Sequence, residues 1–597
     1  MKLNKLSLNT IRLNRIGLNR IGSTSVGSSA TDRPYISPDV LSALAGVWIA
    51  DGKSNTDPDR NIIKNKLPGR GGDFEIFNAA YEGMSSYNGY PIVLGPNKSY
   101  RDMASYGNII GDDKNIISIT NIVSTSALLY SYIKTNGNLS EVWNKDYPSY
   151  KIKVTGITEG LILRYLYLDN PDATVSSAFY IKNDGTYIIP KSYKNGGSLI
   201  EPSVWIGFSF SGTVPEQSNI NIEILPEYEG SFVTDGVNDM IVSQNPVSEM
   251  LGGSKELTVV SMIHQIGFRG ISAVPFTNYI RTGSDYVRNH VSDINKTGIY
   301  GYTCSNILNS SSSNSSVVNN ILGDKNDYSV NVAGNLSAGK FSVQGYIDSN
   351  NNIVELSQVA WYWTFIAKRV LTTDEINQVI AYYNLDKYVM PDIYYDVKKQ
   401  GLTNDTPDED WYLKDFSGNG RDMTLYNYAR TPESGINEEG GLQSDGVDDY
   451  GQFVGDLGLK DYTVAVDRAY VQLLAYQVPL ISEIKSNGIT PFIFEYVDSN
   501  KVNPFSFGDS SKTNDIVLNR KVSYQSTYVY NGLNITKGTA TDTGKGITIG
   551  RYGDDRQYAN IVLWSFLLFP YTLSKFLLER QLKKHKLGTL YPGMVEF

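Results

Sequence analysis

Three stretches of the chain occur twice in the same order, and this internal repeat constrains the fold more than any other feature. The pairs are 62–78 with 412–427, 232–242 with 442–453, and 359–385 with 561–587. In the first pair Asn65 stands against Asp415, and Asn78 stands against Asn427. Similar stretches in a fixed order are the signature of a duplicated structural unit. The sequence therefore predicts one domain type that is present twice.

A long interruption separates the first two stretches in the first copy. In the second copy only residues 428–441 lie between them, whereas in the first copy the whole segment from Asn78 to Phe232 divides them. We therefore predict that a further domain is inserted into the first copy. The predicted boundaries are 37–90 with 228–387 for the first outer domain, 91–227 for the inserted domain and 388–597 for the second outer domain.

The inserted domain has the residue pattern of a small β-sandwich. Apolar and polar residues alternate over 150–157, 161–168 and 178–190, which is the period of a half-buried strand. Asp184–Gly185 is typical of a two-residue hairpin turn, so we predict two paired strands around it. The chain as a whole contains 43 Tyr and 54 Gly, and this composition favours short strands joined by turns.

Each outer copy is predicted to end with a strand followed by a helix. Thr372 and Glu375 form the T-x-x-E sequence of a capping box at the start of the first helix. The second helix keeps an apolar face with Leu578 and Leu582 but lacks the glutamate, so its cap is predicted to be weaker. The tryptophans of the preceding strands are predicted to lie in the core: Trp361, Trp363 and Trp564.

Residues 3–22 form four copies of a five-residue phrase that begins with Leu-Asn. Its apolar positions alternate in spacing between three and two residues, which matches neither the helix period nor the strand period. Four such short repeats cannot bury a core by themselves. We therefore predict that residues 1–22 dock on a partner and that 23–36 is a flexible linker. The predicted docking residues are Leu3, Leu6, Leu8, Ile11, Leu13, Ile16, Leu18 and Ile21.

Charge and composition narrow the classes of partner. Five Lys and Arg residues precede Asp32, the first acidic residue, so the docking partner is expected to be acidic or polar. A disordered basic tail and a nucleic-acid arm are alternative interpretations of that segment. The whole chain has a formal net charge of −9, which argues against nucleic acid as a partner. No stretch approaches the roughly 20 apolar residues that cross a bilayer, so we expect no membrane insertion.

Several repeated phrases resemble a known β-sandwich family. SGNGRDMTLYN at 417–427 and SDGVDDYGQF at 444–453 are similar to segments of laminin-G-like, concanavalin-A-like domains. The terminal order of a tryptophan strand and a Ser- or Thr-capped helix is similar as well. The resemblance covers both outer copies. It implies a mostly β chain of tandem concanavalin-A-like (jelly-roll) β-sandwiches, with an inserted smaller β-sandwich and a short N-terminal repeat segment.

A second resemblance concerns the source of such a chain. LPEYEG at 225–230 directly before TDGVND at 234–239, together with the L-N-x-I start, resembles virion appendage proteins of phages that infect gut Bacteroides, including the crAss-like group. This implies a structural protein of the virion, in a tail fibre or other appendage, made in the bacterial host cytoplasm. It also implies a homo-oligomer that contacts other virion proteins through its N-terminus and recognises a host surface polysaccharide.

Sandwiches of this family either bind sugars or hydrolyse them, and hydrolysis needs two carboxylates about 5–9.5 Å apart. Acids on alternate residues of one strand would provide such a pair, but no E-x-D-x-E triplet occurs. The nearest set is Glu223, Glu227 and Glu229, which Pro226 interrupts. We therefore predict that the chain is not an enzyme. A non-catalytic surface lectin and a glycan depolymerase that uses Glu223 and Glu227 are the alternative functions.

Two groups of residues are candidates for binding. Aromatic rings close to loops stack on sugars, and the predicted glycan-binding residues are Trp411, Tyr426 and Tyr428. Clustered carboxylate and amide oxygens are the donors that Ca²⁺ prefers, and the candidates are Asp235, Asn238, Asp239, Asp445, Asp448 and Asp449, with Asp415, Asn419 and Asp422 as a third loop. Alternatively these loops are Asx-Gly turns, in which Val237 and Val447 fill the core.

Overall fold

The computed structural model of the protein describes residues 34–93, 108–110, 115–120, 146–194, 206–213, 219–268, 276–282, 285–290, 296–308, 318–320, 322, 329–343, 345–347, 353–354, 356–455, 457, 461–472, 481–483, 493–494, 496–498, 501–503, 534–539, 546–551 and 558–584. The predicted docking residues Leu3 to Ile21 lie outside these ranges. No helix within them combines the length and the apolarity needed to cross a membrane.

The first described element is a short helix that runs directly into the first sheet. In helix α1 (Pro38–Ala43), the Ser37 hydroxyl accepts the Val40 N–H at 3.2 Å and caps the first turn. The strands before the insert are β1 (Leu44–Ile49), β2 (Ile62–Ile63), β3 (Phe74–Phe77) and β4 (Ser86–Tyr87).

The insert folds as two antiparallel sheets around their own core. Its strands are β5 (Asn108–Ile110), β6 (Ile116–Thr120), β7 (Tyr150–Thr155), β8 (Leu161–Tyr167), β9 (Ser177–Ile181), β10 (Gly185–Ile189), β11 (Gly207–Gly212) and β12 (Ile220–Ile224). One sheet has the order β10-β7-β12-β6-β5 and the other β11-β8-β9. Buried side chains of both sheets, among them Ile152, Leu163 and Phe210, form one apolar cluster.

The predicted hairpin around Asp184–Gly185 is wrong. β9 pairs with β8 and β10 pairs with β7, so the two strands belong to different sheets. The turn is held by a tertiary contact, because Asp184 Oδ1 accepts the Ile157 N–H at 2.7 Å. The connection therefore crosses from one sheet of the insert to the other.

The first sandwich resumes after the insert and closes around strands from both of its parts. The later strands are β13 (Phe232–Val233), β14 (Met240–Pro246), β15 (Leu257–Phe268), β16 (Phe276–Thr282), β17 (Asp285–His290), β18 (Lys296–Cys304), β19 (Val318–Asn320), β20 (Ser329–Ala333), β21 (Lys340–Val343), β22 (Tyr346–Ile347), β23 (Ile353–Val354) and β24 (Ser357–Ala367), with helices α2 (Val247–Leu251) and α3 (Thr373–Tyr382). Because β13 pairs with β4 and β14 with β3, the insert interrupts one folded unit.

The strands within each of the two sheets of the first sandwich pair antiparallel. One has the order β19-β18-β15-β24-β13-β4, with β1 paired to β24, and the other has the order β2-β3-β14-β21-β16-β17-β20. Between them Trp48 stacks on Phe74 with ring centroids 4.1 Å apart. Trp361 is fully buried in the same cluster. The predicted core position of Trp361 is confirmed.

The second sandwich has the same arrangement. Its strands are β25 (Ile393–Asp396), β26 (Tyr412–Leu413), β27 (Met423–Tyr426), β28 (Gly435–Ile436), β29 (Leu442–Gln443), β30 (Tyr450–Val454), β31 (Asp461–Gln472), β32 (Ile481–Glu483), β33 (Ile493–Phe494), β34 (Tyr496–Asp498), β35 (Lys501–Asn503), β36 (Asn534–Thr539), β37 (Gly546–Ile549), β38 (Asn560–Phe569) and β39 (Thr572–Leu573), with helices α4 (Val397–Gln400) and α5 (Lys575–Lys584) and a 3₁₀ turn (Asp408–Asp410). Its sheets run β28-β29-β38-β31-β36, with β25 on β38, and β26-β27-β30-β37-β32-β33.

The two outer sandwiches repeat each other at the level of single hydrogen bonds. Asp73 Oδ1 accepts the Asn65 N–H at 3.0 Å, and Asp422 Oδ1 accepts the Asp415 N–H at 2.7 Å. The long strands β24 and β38 each contain a register shift where they pair with β15 and β31. The predicted fold class, mostly β with β-sandwich domains, is confirmed.

A shared apolar layer joins the two sandwiches. We call it the central layer. It combines α3 and one face of the first sandwich with α5 and one face of the second. Its buried residues include Met262, Trp363, Phe365, Val379, Leu567, Phe569, Leu573, Leu577 and Leu582. β39 also pairs in parallel with β18 of the first sandwich. Across the two helices, Arg580 bonds to Asp386 at 3.0 Å and to Asn377 at 2.5 Å. The sandwiches therefore share part of their core.

The insert is held at a narrow neck. Asn88 and Gly89 both have left-handed backbone, with φ of 70° and 56°, as a type I′ Asn-Gly turn requires. Asn88 Oδ1 accepts the Gly230 N–H at 2.8 Å, and Gly89 O accepts the Glu227 N–H at 2.9 Å. Gly230 has no room for a side chain, because a Cβ there would lie 2.3 Å from the Tyr388 ring. The segments on either side of the insert are thus tied to each other.

Candidate functional site

The first acidic loop is a turn closed by its own side chains. Asp235 Oδ1 accepts the N–H groups of Val237 at 2.7 Å and Asn238 at 3.1 Å. Asp239 Oδ2 in turn accepts the Asp235 N–H at 2.9 Å. From the neighbouring strand end, the Asn78 side-chain amide donates to Asn238 O at 3.0 Å. These contacts are those of an Asx turn, one of the two predicted interpretations.

The second loop has the same geometry. Asp445 Oδ1 accepts the N–H groups of Val447 at 2.7 Å and Asp448 at 3.3 Å. Asp449 Oδ2 accepts the Asp445 N–H at 2.9 Å, and the Asn427 amide donates to Asp448 O at 2.9 Å. Because both loops close with equivalent hydrogen bonds although Asn238 replaces Asp448, the fourth position of the phrase need not be a carboxylate.

The last aspartate of each loop, Asp239 or Asp449, is buried in surroundings of low polarity. Burial raises the pKa of Asp239 to about 7 and the pKa of Asp449 to about 6. Hydrogen bonds from Ser85 to Asp239 and from Ser434 to Asp449 oppose this shift. In both residues Oδ1 has no hydrogen-bond partner in the part of the chain that the structure describes. The two copies therefore share a buried carboxyl group of raised pKa.

Only the second loop gathers enough carboxylates to suggest a metal. One oxygen each of Asp445, Asp448 and Asp449 can lie within 4.8 Å of the others. Ca²⁺ takes six to eight oxygen ligands, and two oxygens of this set already accept backbone N–H groups. In the first copy Asn238 carries an amide where the second has Asp448. Calcium binding stays a prediction, and the hydrogen bonds alone account for the shape of both loops.

The Asp415 loop is filled by donors of the chain. Oδ1 of Asp415 accepts the N–H groups of Tyr394 at 3.0 Å and Ser417 at 2.9 Å. Oδ2 accepts the Ser417 hydroxyl at 2.7 Å and the Arg421 N–H at 3.0 Å. A carboxylate offers about four acceptor sites, so all of them are used. We therefore assign Asp415, with its partner Asp422, to loop structure.

The valines at the loop tips do not fill the core. Val237 is 52% exposed and Val447 is 70% exposed, so that part of the turn interpretation is wrong. The reason is local, since each valine N–H points back to the aspartate that closes the turn. The side chain is then directed away from the sandwich.

Two of the three predicted sugar-stacking rings belong to or pack against the core of the second sandwich. Trp411 is only 8% exposed, and the Arg430 guanidinium lies 4.7 Å from the centre of its ring. The Tyr428 ring packs against Trp411 with centroids 6.2 Å apart, and burial raises the pKa of Tyr428 well above its usual value. Both rings therefore serve the core at the edge of the sheet.

Tyr426 is the predicted ring that the structure exposes, and it is the end of a stack. It is 38% exposed, and its ring lies on that of Tyr450, its cross-strand partner, at 4.7 Å and 13°. The Arg551 guanidinium lies 3.7 Å from the centre of the Tyr450 ring, and Tyr558 is 6.2 Å away. One ring face cannot hold both Tyr426 and Arg551, so both faces of Tyr450 are covered. We call this set the tyrosine stack.

No family model matches the chain, and no curated protein matches it. Solved structures that align with it include Trypanosoma rangeli sialidase, at 10% identity over 79% of this chain and 83% of that one, with a TM-score of 0.21. The binding domain of botulinum neurotoxin serotype C1 aligns at 13% identity over 60% and 88%, with a TM-score of 0.19. Scores this low indicate neither a common fold nor a common ligand.

The described residues of the first sandwich form no equivalent of the tyrosine stack. Phe77 is the counterpart of Tyr426 and is also 38% exposed, but its cross-strand partner Met240 is fully buried. The Asn427 amide links the strand end after Tyr426 to the second acidic loop, so polar groups border the stack. Tyr450, Arg551 and Tyr558 were not predicted from the sequence. Tyr450 directly follows the repeated loop, but its contact with Tyr426 depends on strand register.

The glutamates of the depolymerase alternative do not share one strand. Glu223 lies on β12, opposite Lys153 of β7. Glu227 and Glu229 lie beyond the end of β12, where the chain returns to the first sandwich, and both are exposed. Two catalytic carboxyl groups must face one sugar bond from fixed positions. Glu223 lies in a sheet of the insert, whereas Glu227 and Glu229 lie in the neck.

Proposed function

We propose that the chain is a non-catalytic structural component of a phage appendage that recognises a host surface glycan through its second sandwich. The observation that carries the proposal is Tyr426, an exposed ring at the end of the tyrosine stack. Apolar faces of sugar rings stack on aromatic side chains, and neighbouring polar groups fix the hydroxyl groups. Tyr450 supports Tyr426 from behind, so the exposed ring is held in place before a sugar arrives.

Binding rather than hydrolysis is supported by the state of the nearby acids. Asp445 and Asp449 are committed to the backbone of their loop. Asp448, which is exposed, remains as a side chain that can accept hydrogen bonds from sugar hydroxyl groups. A retaining or inverting glycosidase needs a second carboxyl group aimed at the same bond. We therefore place recognition, without cleavage, at this surface.

An appendage role is supported by the basic repeat of residues 1–22 and by the shared core of the two sandwiches. The repeat resembles that of virion appendage proteins, and it needs a partner to bury its apolar residues. The central layer packs the two sandwiches against each other, so that they act as one support. In this arrangement an N-terminal anchor holds the protein on the particle while the second sandwich faces the host.

Replacing Tyr426 with alanine is expected to weaken glycan binding about tenfold, because a stacking contact of roughly 1.4 kcal/mol is lost. The measurement is binding of the purified full chain to an array of bacterial surface polysaccharides. Phe77→Ala is the matched control, since Phe77 has the same exposure at the equivalent place in the first sandwich. Equal binding by the Tyr426 variant and the unaltered chain would refute the site.

Deleting residues 1–22 is expected to abolish incorporation into phage particles and to leave glycan binding unchanged. The apolar repeat cannot bury itself, so the deletion is expected to remove the anchor, and it leaves the sequence of both sandwiches intact. The measurement is mass spectrometry and immunogold microscopy of particles that carry only the shortened protein. Particles that retain the shortened protein would show that the repeat is not the anchor.

A further inference from the structure

An arginine whose guanidinium group is held by hydrogen bonds lies on the outer face of the three-stranded sheet of the insert. Arg164 is on β8, the central strand of the three-stranded sheet, directly opposite Ser209 on β11 and Tyr180 on β9. Directly opposed residues of neighbouring strands project from the same face of a sheet. These three side chains therefore form a row across the sheet, on the side away from the insert core.

Two hydrogen bonds hold the guanidinium group of Arg164. Nε donates to Ser209 Oγ at 3.0 Å, and Nη2 donates to Phe210 O at 3.2 Å. An arginine has five N–H donors in one plane, so the outer end of the group, with Nη1, keeps donors beyond these two. Among the described residues no carboxylate forms an ion pair with Arg164.

An exposed ring lies beside the arginine. Tyr180 is 55% exposed. The next row of the same sheet face contains Ala178 and Gly207 on either side of Leu166. Leu166 and Gly207 of that row are buried and Ala178 is half-buried, whereas Arg164 is half-buried and lies opposite the exposed Tyr180. A guanidinium group paired across two strands with an exposed ring can bind a ring that carries a negative group.

We propose that Arg164 and Tyr180 form a binding site for a carboxylate-bearing sugar residue of an acidic polysaccharide. The planar fork of arginine matches the two oxygens of a carboxylate, and the tyrosine ring stacks on the apolar face of the sugar. Ser209 and Phe210 are positioning groups, because they orient the guanidinium before the ligand binds. This site lies on a different domain from the tyrosine stack and does not depend on that proposed function.

The test uses pairs of ligands that differ only in charge. Binding of the full chain is measured with oligogalacturonate, oligoglucuronate and sialyllactose, each against its methyl ester. At least one acidic form is expected to bind about tenfold more tightly than its ester, because the ester removes the charge that pairs with arginine. Equal binding of acid and ester in all three pairs would overturn the proposal.

Variants locate the effect within the chain. Arg164→Gln is expected to reduce binding of the preferred acid to the level of its ester, and Arg164→Lys to recover only part of it, because lysine lacks the planar fork. Tyr180→Ala, a substitution of an exposed residue, is expected to weaken acid and ester alike by several-fold. Tyr426→Ala is expected to leave the difference between acid and ester unchanged. A charge preference that survives Arg164→Gln contradicts the assignment.

Discussion

Replacing Leu577 with alanine is expected to lower the free energy of unfolding by about 2–5 kcal/mol, the usual cost of truncating a buried leucine, and to loosen both sandwiches at once. Leu577 lies on α5, is fully buried and belongs to the central layer. The same layer contains Val379 of α3 and Phe365 of the first sandwich, together with Leu567 of the second. A cavity there removes packing from both units.

Hydrogen exchange measured by mass spectrometry distinguishes this shared effect from ordinary core damage. In the Leu577→Ala protein, exchange is expected to rise in α3 of the first sandwich as well as in β38 of the second. Leu563→Ala is the matched control, because Leu563 is buried between the two sheets of the second sandwich alone. Its effect should remain in that sandwich. Unchanged exchange of α3 in the Leu577 variant would mean that the sandwiches do not stabilise each other.

Some features set by short-range contacts were predicted correctly from the sequence, although the hairpin at Asp184–Gly185 was not. The capping box is one example: Thr372 Oγ1 accepts the Glu375 N–H, and the Glu375 carboxylate accepts the Thr372 N–H. Only four residues take part, so the pattern is complete within the local sequence. Leu578 and Leu582 on the second helix are likewise buried as their spacing predicts. The duplication was visible for the same reason, because each copy carries its own local phrases.

Features that depend on which surfaces meet could not be obtained in this way. The apolar faces of α3 and α5 look the same in sequence whether each covers its own sheet or forms the central layer. Trp361 and Trp363 are two residues apart, which places them on one side of a regular strand. In the structure a register shift at Tyr362 separates them, so that Trp361 lies in the core of the first sandwich and Trp363 in the central layer.

In the candidate site, too, the local turns were predicted from the sequence and the exposure of the rings was not. The Asx turns follow from Asp and Gly in the repeated phrase, and both were among the predicted interpretations. Exposure of individual rings did not follow, because Trp411, Tyr426 and Tyr428 have similar local surroundings. Tertiary contacts determine how exposed each ring is. Tyr426 pairs with Tyr450 across the strands on the outer face, while Trp411 and Tyr428 pack towards the core at the sheet edge.

Replacing Arg421 with methionine is expected to destabilise the second sandwich by about 3–5 kcal/mol at pH 7, because it leaves the buried Asp392 carboxylate without the opposite charge that pairs with it. Arg421 Nη1 pairs with Asp392, and the two residues are 8% and 4% exposed. Burial raises the pKa of Asp392, while the Arg421 charge lowers it. Without that charge the pKa of Asp392 rises further. The measurement is chemical unfolding of both proteins at pH 5 and pH 7.

The sign of the pH dependence follows from proton binding. If the folded variant holds the Asp392 proton more tightly than the unfolded chain does, its stability falls as pH rises between the two pKa values. The cost of Arg421→Met should therefore be smaller at pH 5 than at pH 7. Lys64→Met is the control, since its ion pair with Asp73 is exposed and its loss should cost at most about 1 kcal/mol at either pH.

A second variant separates the stranded charge from the loss of packing. Arg421→Met combined with Asp392→Leu removes both charges, and apolar replacements of a buried pair are often neutral or stabilising. The double variant is therefore expected to recover most of the stability lost at pH 7 and to lose the pH dependence of the single variant. If the double variant is as unstable as Arg421→Met, then the loop depends on the shape of the Arg421 side chain rather than on its charge.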